Sequence, residues 1–282
     1  MTSNIDVRPS PIAGSWYSDD RITLYRQIEG FISEADIPEL KAEVVGLIAP
    51  HAGYIYSGRT AAHAFKSVLQ HEYELVAVLS PLHASHPAPL LTSAHQAYGT
   101  PLGIVEIDKE AIEALDQALR HSTGLSLMPV SNDGEHSLEI ELPFLQYALS
   151  GNFKLLPLMI ASAAPEQLEQ LGAALAELLA PKRALLVAST DLSHFYPQAT
   201  AEEFDRTMLA QIAALSPEGV LEAERQGTGF ACGAKAVVTV LWAARELGAT
   251  RVEILNHSDS AAASGDTSSV VGYGAAAILK DA

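Results

Sequence analysis

Four apolar runs in this 282-residue chain give out onto histidine. Val44 to Ala49 ends in Pro50-His51, and Leu75 to Leu79 ends in Ser80-Pro81-Leu82-His83. Ala184 to Ser189 ends in Thr190-Asp191-Leu192-Ser193-His194, and Val252 to Leu255 ends in Asn256-His257-Ser258. Imidazole is the commonest metal ligand and titrates near neutrality, so such a set suits metal binding or proton transfer. Two histidines with an anionic ligand and open positions suit non-haem Fe(II) chemistry. Asp191 and His194 stand three apart. If a helix starts there, the carboxylate can orient the imidazole as a general acid/base requires; Asp191 could equally be a plain N-cap.

Cys232 follows the glycine-rich Gly227-Thr228-Gly229-Phe230-Ala231 and heads a predicted helix. A helix N-terminus favours a thiolate, and a metal would favour it further. The same cysteine also reads as a small core residue, or as a nucleophile with His194 or His257 as its base. Glu135, Glu139 and Glu141 are alternative anionic ligands, His86 is a supporting group, and His63 packs within a helix. No His-x-x-x-His, His-Glu-x-x-His or Cys-x-x-Cys spacing occurs. The metal reading therefore rests on placement. Neither a Gly-x-Gly-x-x-Gly nor a Walker sequence is present, so nucleotide binding has no support.

Placement needs strands that are parallel neighbours. Short, uncharged, β-branched runs bounded by breaker residues read as strands buried on both faces. Ligands collect at the carboxyl edge of such sheets. Phe153 to Ile160 and Ser269 to Leu279 read as further strands, and Pro87 to Val105 as irregular chain with a short hairpin. Helices are predicted for Asp19 to Ala35, capped by Ser18 or Asp19, and for Thr60 to Leu69 and Asp108 to Leu119. Others are Glu135 to Leu145 (kinked at Pro143), Ala164 to Leu179, Ala201 to Leu215, Pro217 to Arg225 and a last one ending near Leu247. The expectation is one α/β domain over residues 1–282, with a mostly parallel central sheet flanked by helices.

Composition narrows the partners. With 34 acidic and 17 basic residues the formal charge is −17, which argues against nucleic acid and against an anionic membrane surface. Met1 to Pro11 is polar and is no signal peptide. The longest uncharged stretch, Leu75 to Val105, is broken by Pro81, Pro87 and Pro89 and cannot be a membrane helix. A single cysteine excludes an intramolecular disulfide framework and a cysteine-only metal cluster. A soluble cytoplasmic protein is the plain reading.

Gly14-Ser15-Trp16-Tyr17, Ala49-Pro50-His51-Ala52-Gly53-Tyr54, Ser80-Pro81-Leu82-His83 and Thr100-Pro101-Leu102-Gly103 open a series of blocks. Glu135-His136-Ser137-Leu138-Glu139, Ser189-Thr190-Asp191-Leu192-Ser193-His194 and Cys232-Gly233 complete it. In this order they resemble the Memo family. The resemblance implies a fold similar to the class III extradiol dioxygenases, whose Fe(II) is held by two His and one Glu. It implies His51 and His83 as metal ligands, with Cys232 in place of the carboxylate, and His194 as acid/base beside Asp191. Fe(II) is the expected metal, with copper or zinc as alternatives. Trp16 and Tyr54, with His136 and His257, are expected to contact the substrate. A radical-SAM protein and an AMMECR-type protein are the implied partners. The function expected is a metal-dependent oxidoreductase acting on a small molecule. The rivals are a ligand- or peptide-binding protein without turnover and a zinc-type hydrolase.

Overall fold

The computed structural model describes residues 5–281. In chain order, the first half contains β1 (Val7–Arg8), α1 (Arg21–Glu34), β2 (Glu43–Ala49), α2 (Tyr54–Lys66) and β3 (Leu75–Pro81). It continues through β4 (Leu90–Ser93), β5 (Ala97–Thr100), β6 (Gly103–Glu106), α3 (Lys109–Ser122), β7 (Met128–Val130) and α4 (Leu142–Ala148). The second half contains β8 (Lys154–Ile160), α5 (Pro165–Leu179), β9 (Ala184–Ser189), β10 (His194–Tyr196), α6 (Gln198–Ala213) and α7 (Pro217–Gln226). The last elements are α8 (Ala234–Glu246), β11 (Arg251–Asp259), α9 (Ala261–Ser264) and β12 (Val270–Lys280).

Alternation decides which face each strand residue meets. Along β3, Leu75, Ala77 and Leu79 join one apolar cluster, with Leu171, Leu175 and Val237. Val76 and Val78 join the other, with Ile28, Phe65 and Phe144. Both faces of the sheet are thus covered by helices, as a run without polar alternation requires. Helix α1 begins at Arg21, two residues after the expected start at Asp19: Asp20 is the N-cap, and its carboxylate accepts the Thr23 N–H at 2.8 Å. Glu135 to Leu145 is not one kinked helix. It runs as a loop, a 3-10 turn at Glu139–Glu141, and then α4 with Pro143 in its first turn.

The large sheet has nine strands in the order β10-β12-β2-β9-β3-β8-β4-β7, with β11 added on β12. Strands β2, β9, β3 and β8 are parallel neighbours, with Ala49 level with Ser189 and Leu79 level with Ala188. The flanks are mixed. β12 is antiparallel to β2, β11 and β10, and β4 is antiparallel to β8. The parallel arrangement is therefore a central block rather than most of the sheet. β1, β5 and β6 form a separate three-stranded sheet, in which β5 and β6 are the expected hairpin.

Helices α5 and α8 approach closely at Gly172. A Cβ there would lie 2.8 Å from Trp242 Cβ and 3.0 Å from the Thr239 carbonyl oxygen. Gly172→Ala is expected to cost about 1–2 kcal/mol through overpacking, although alanine is the better helix former by about 1 kcal/mol. Urea denaturation measures it. An unchanged midpoint would mean the two helices separate freely.

Candidate functional site

His51, His83 and Asp191 each stand two residues beyond a strand of the parallel block, so all three emerge at its carboxyl edge. His51 is buried. Its N–H donates to Asp191 Oδ1 at 2.8 Å, and its Nδ1 lies 2.9 Å from Ser189 Oγ. That hydroxyl reaches the Ser137 carbonyl at 2.6 Å and Glu141 Oε1 at 2.7 Å. A serine has one proton to give. Spent on either oxygen, it leaves Ser189 to accept from His51 Nδ1–H, which makes Nε2 the free acceptor. Burial, reinforced by His136 and His83, holds the His51 pKa well below the ordinary imidazole value.

His83 is set by Glu135. One Glu135 oxygen accepts the His83 N–H at 2.6 Å, and the other lies 3.0 Å from His83 Nδ1. The same carboxylate accepts the N–H groups of His136 and Ser137, both at 2.9 Å. Burial works to raise the Glu135 pKa, but the donors from His83 and Ser137 outweigh it and hold the group ionised. The bond to Glu135 in turn raises the His83 pKa, against the opposing effect of burial. His136 is pushed down to about 4, chiefly by burial.

The ligand atoms of His51, His83 and His136 lie within 4.8 Å of one another. The His83 and His136 rings stack at 4.7 Å, and His51 stands edge-on to both. Trp16 lies over His136, ring centroids 4.1 Å apart. Cys232 joins from the start of α8, its Sγ 3.1 Å from His51 Nε2 and 3.2 Å from the Asp191 nitrogen. Two bonds fasten this turn. The Cys232 N–H donates to the Asp191 carbonyl at 3.1 Å and the Gly233 N–H to Thr190 Oγ1 at 2.9 Å. Only glycine fits at 233, since a Cβ there would run into the Ser189 carbonyl oxygen. The residue is accessible to solvent, yet protein surrounds its thiol. Burial, helped by Asp191, pushes that thiol pKa up.

His194 lines the same cavity, but Asp191 does not orient it. Its Nδ1–H donates to the Leu192 carbonyl at 2.8 Å, while the Asp191 carboxylate accepts from the His51 and Ala52 nitrogens. The expected pairing presumed a helical turn; the segment instead runs extended into β10. Burial lowers the His194 pKa and raises that of Asp191 to about 7.

Two expected substrate contacts stand elsewhere. Tyr54 is buried at the start of α2, its ring against Tyr17 and Phe144 and its hydroxyl donating to the Ile140 carbonyl at 2.9 Å. His257 lies inside antiparallel β11, where its Nε2 meets Asp205 Oδ2 at 2.9 Å on a different groove. Strand β11 runs on through Asn256, His257 and Ser258 to Asp259, so the polar residues that looked like a strand end are part of the strand. His86 closes a local turn, accepting the Ala88 N–H at 3.0 Å, and His63 bonds within α2.

The cavity has a volume of about 630 Å³, and its wall runs from buried His51 and Asp191 to exposed Ile55, Tyr56 and Phe195. Imidazole nitrogens with a thiol are borderline-soft donors. They fit Fe(II), zinc or copper, and they do not fit magnesium or calcium, which take oxygen ligands. His136 as a member of the imidazole cluster, and Glu135 and Ser189 as orienting groups, escaped sequence reasoning. The adjacency Glu135-His136-Ser137 was the available signal. Among the described residues no helix is long and apolar enough to cross a membrane.

The family model described as Memo-like protein matches residues 8–277. A MEMO1 family protein of Nitrosopumilus maritimus is 32% identical over 273 residues, covering 95% of this chain and 98% of that protein. Relatives from Methanosarcina barkeri (32% over 271 residues) and Methanothermobacter thermautotrophicus (33% over 276) each cover 95% of this chain and 98% of their own length. A crystal structure of an uncharacterized Escherichia coli K12 protein aligns with TM-score 0.48 at 16% identity, covering 82% of this chain and 99% of that one. With a family match from Arg8 to Ala277 and relatives aligned nearly end to end, the chain belongs to the Memo-like protein family.

Proposed function

We propose that the chain is a metal-dependent oxidoreductase of the dioxygenase type, with Fe(II) held by His51, His83 and a third ligand. The observation that carries this reading is the His51/His83/His136 cluster, whose ligand atoms lie within 4.8 Å of one another. Its support is the way the first two rings are held. His51 Nδ1 meets Ser189 and His83 Nδ1 meets Glu135, the outer-shell bonding typical of metal-binding histidines.

His136 and Cys232 compete for the third position. Metal bonds of about 2.0 Å to imidazole and about 2.3 Å to thiolate set two such ligands about 3–3.5 Å apart. The His51–Cys232 separation of 3.1 Å suits that spacing, and family membership favours the cysteine. Copper would use the same donors, and zinc would turn the reading toward hydrolysis.

Bound Fe(II) would supply a Lewis acid and a redox centre with positions open to ligands. The residues supply the proton handling. His194 commits Nδ1–H to Leu192 and keeps Nε2 to accept a proton from substrate. Asp191, with a pKa near neutrality, can hold or return one beside it. Trp16 covers His136 and keeps water from that side. A cavity of this size suits a small molecule. Radical-SAM and AMMECR-type partners are proposed on family membership alone.

Anaerobic titration with Fe(II) is expected to give about one ion per chain. Loss of the true third ligand, in Cys232→Ser or His136→Ala, should weaken binding beyond the roughly 10–100-fold of an outer-shell loss, and the other variant should stay within it. Wild-type protein that takes up no metal overturns the reading. Oxygen uptake by the iron-loaded protein over a panel of catechols tests turnover. A melting shift with ligand but no uptake favours a binding protein.

A further inference from the structure

Phe195 has φ of 65°, in the left-handed region that a bulky side chain rarely adopts. His194 pairs with Val271 and Tyr196 with Val270, so Phe195 is the extra residue of a β-bulge in β10. Such a conformation persists only where the surroundings over-determine it. Here they do. The Ser193 N–H donates to the buried Asp205 Oδ1 at 3.0 Å, the Leu192 N–H to the Gly272 carbonyl at 2.8 Å, and the Gly272 N–H to the Ser193 carbonyl at 2.9 Å. Downstream, the Gln198 N–H donates to the Thr267 carbonyl at 3.0 Å.

The strain serves no packing. Tyr196 gives this segment its aromatic anchorage, against Phe204 and Phe230. Phe195 is 74% exposed, and its only ring neighbour among the described residues is His194, centroids 5.5 Å apart. It lines the cavity together with Ile55 and Tyr56, which are 72% and 45% exposed. A glycine would hold the bulge without strain. The chain instead holds an aromatic ring in solvent at the cavity mouth, directly after the candidate acid/base.

We propose that Phe195 sets the specificity of the cavity, as a platform on which a flat aromatic part of a small-molecule ligand stacks while its polar end reaches the histidines. The inference rests on the cavity being the ligand site of the proposed metal centre. The probes are 2-naphthoate and its saturated counterpart decalin-2-carboxylate, titrated into iron-loaded and metal-stripped protein under anaerobic conditions. Decalin is the more hydrophobic, so apolar area alone favours it, whereas stacking favours naphthalene by about three- to tenfold.

Wild-type protein is expected to prefer naphthoate by that factor, and Phe195→Gly and Phe195→Leu should lose the preference. Phe195→Gly should also raise the melting temperature by about 2 °C as the strain is released, which separates lost recognition from lost fold. Wild-type protein without the preference, or variants that keep it, overturn the proposal. The gap between iron-loaded and stripped protein reads the metal centre separately. If naphthoate binds iron-loaded and stripped protein equally tightly and keeps its preference in both, the platform stands and the metal reading fails.

Discussion

Fe(II) titrated anaerobically into His51→Ala protein is expected to find no saturable site. Affinity falls by more than about a hundredfold, the upper end of what loss of an outer-shell partner costs. His51 is the histidine of the cluster that also meets Cys232. Its ring stands 5.4 Å from both His83 and His136, and its Nε2 is the atom nearest Cys232 Sγ. Whichever third ligand operates, His51 is part of the proposed set. Its backbone N–H bond to Asp191 survives the substitution, so the loop between β2 and α2 keeps its anchor. The metal-free variant should therefore melt as one cooperative unit. Saturable one-to-one binding by His51→Ala would move the metal site elsewhere.

The second large effect lies about the buried Arg8, which does not line the cavity. Its guanidinium reaches Glu139 Oε2 at 2.5 Å, Asp133 Oδ1 at 2.7 Å and the Glu135 carbonyl at 2.8 Å. The other Glu139 oxygen accepts from Ser10 and from Tyr17, whose hydroxyl is 2.6 Å away. Arg8→Met removes one partner of a buried pair and should cost about 3–5 kcal/mol of stability. Glu139→Gln in the same chain should recover part of that loss, since the orphaned charge is then gone. Metal affinity is a second readout. Arg8 holds the carbonyl of Glu135, the residue that orients His83, so the variant should also bind Fe(II) more weakly. A loss below about 1 kcal/mol, the range of a surface pair, would contradict the burial argument.

The legible part of the site was the part written locally. Strands β2, β3 and β9 announce themselves as apolar runs stopped by proline or by polar residues, and that is enough to bring His51, His83 and Asp191 to one edge. Interactions between distant positions left no mark. Arg8 meets Glu139 across 131 positions and His83 meets Glu135 across 52, and no periodicity points from one to the other. Tyr54 follows Gly53 like a loop residue, yet it opens a helix and turns inward. The Asp191 and His194 spacing suggests a turn only if the chain coils there; β12 draws it straight instead. Phe195 was invisible for a related reason, because a backbone dihedral is imposed by the strand alongside.

Strand β12 has a consequence for how the molecule comes together. Among the described residues it is the last strand, yet it lies inside the sheet, between β2 and β11 and against β10. During synthesis β2, β3, β8 and β9 can assemble early, but the free side of β2 has no neighbour until β12 emerges. An uncovered strand edge is a template for pairing with another chain, and long-range closure of this kind is slow. Among the described residues, the bulge that carries Phe195 pairs only with β12. The cavity mouth is therefore shaped only after β12 emerges, and a nascent chain can hold its histidine-bearing strands in register before the candidate site has a mouth.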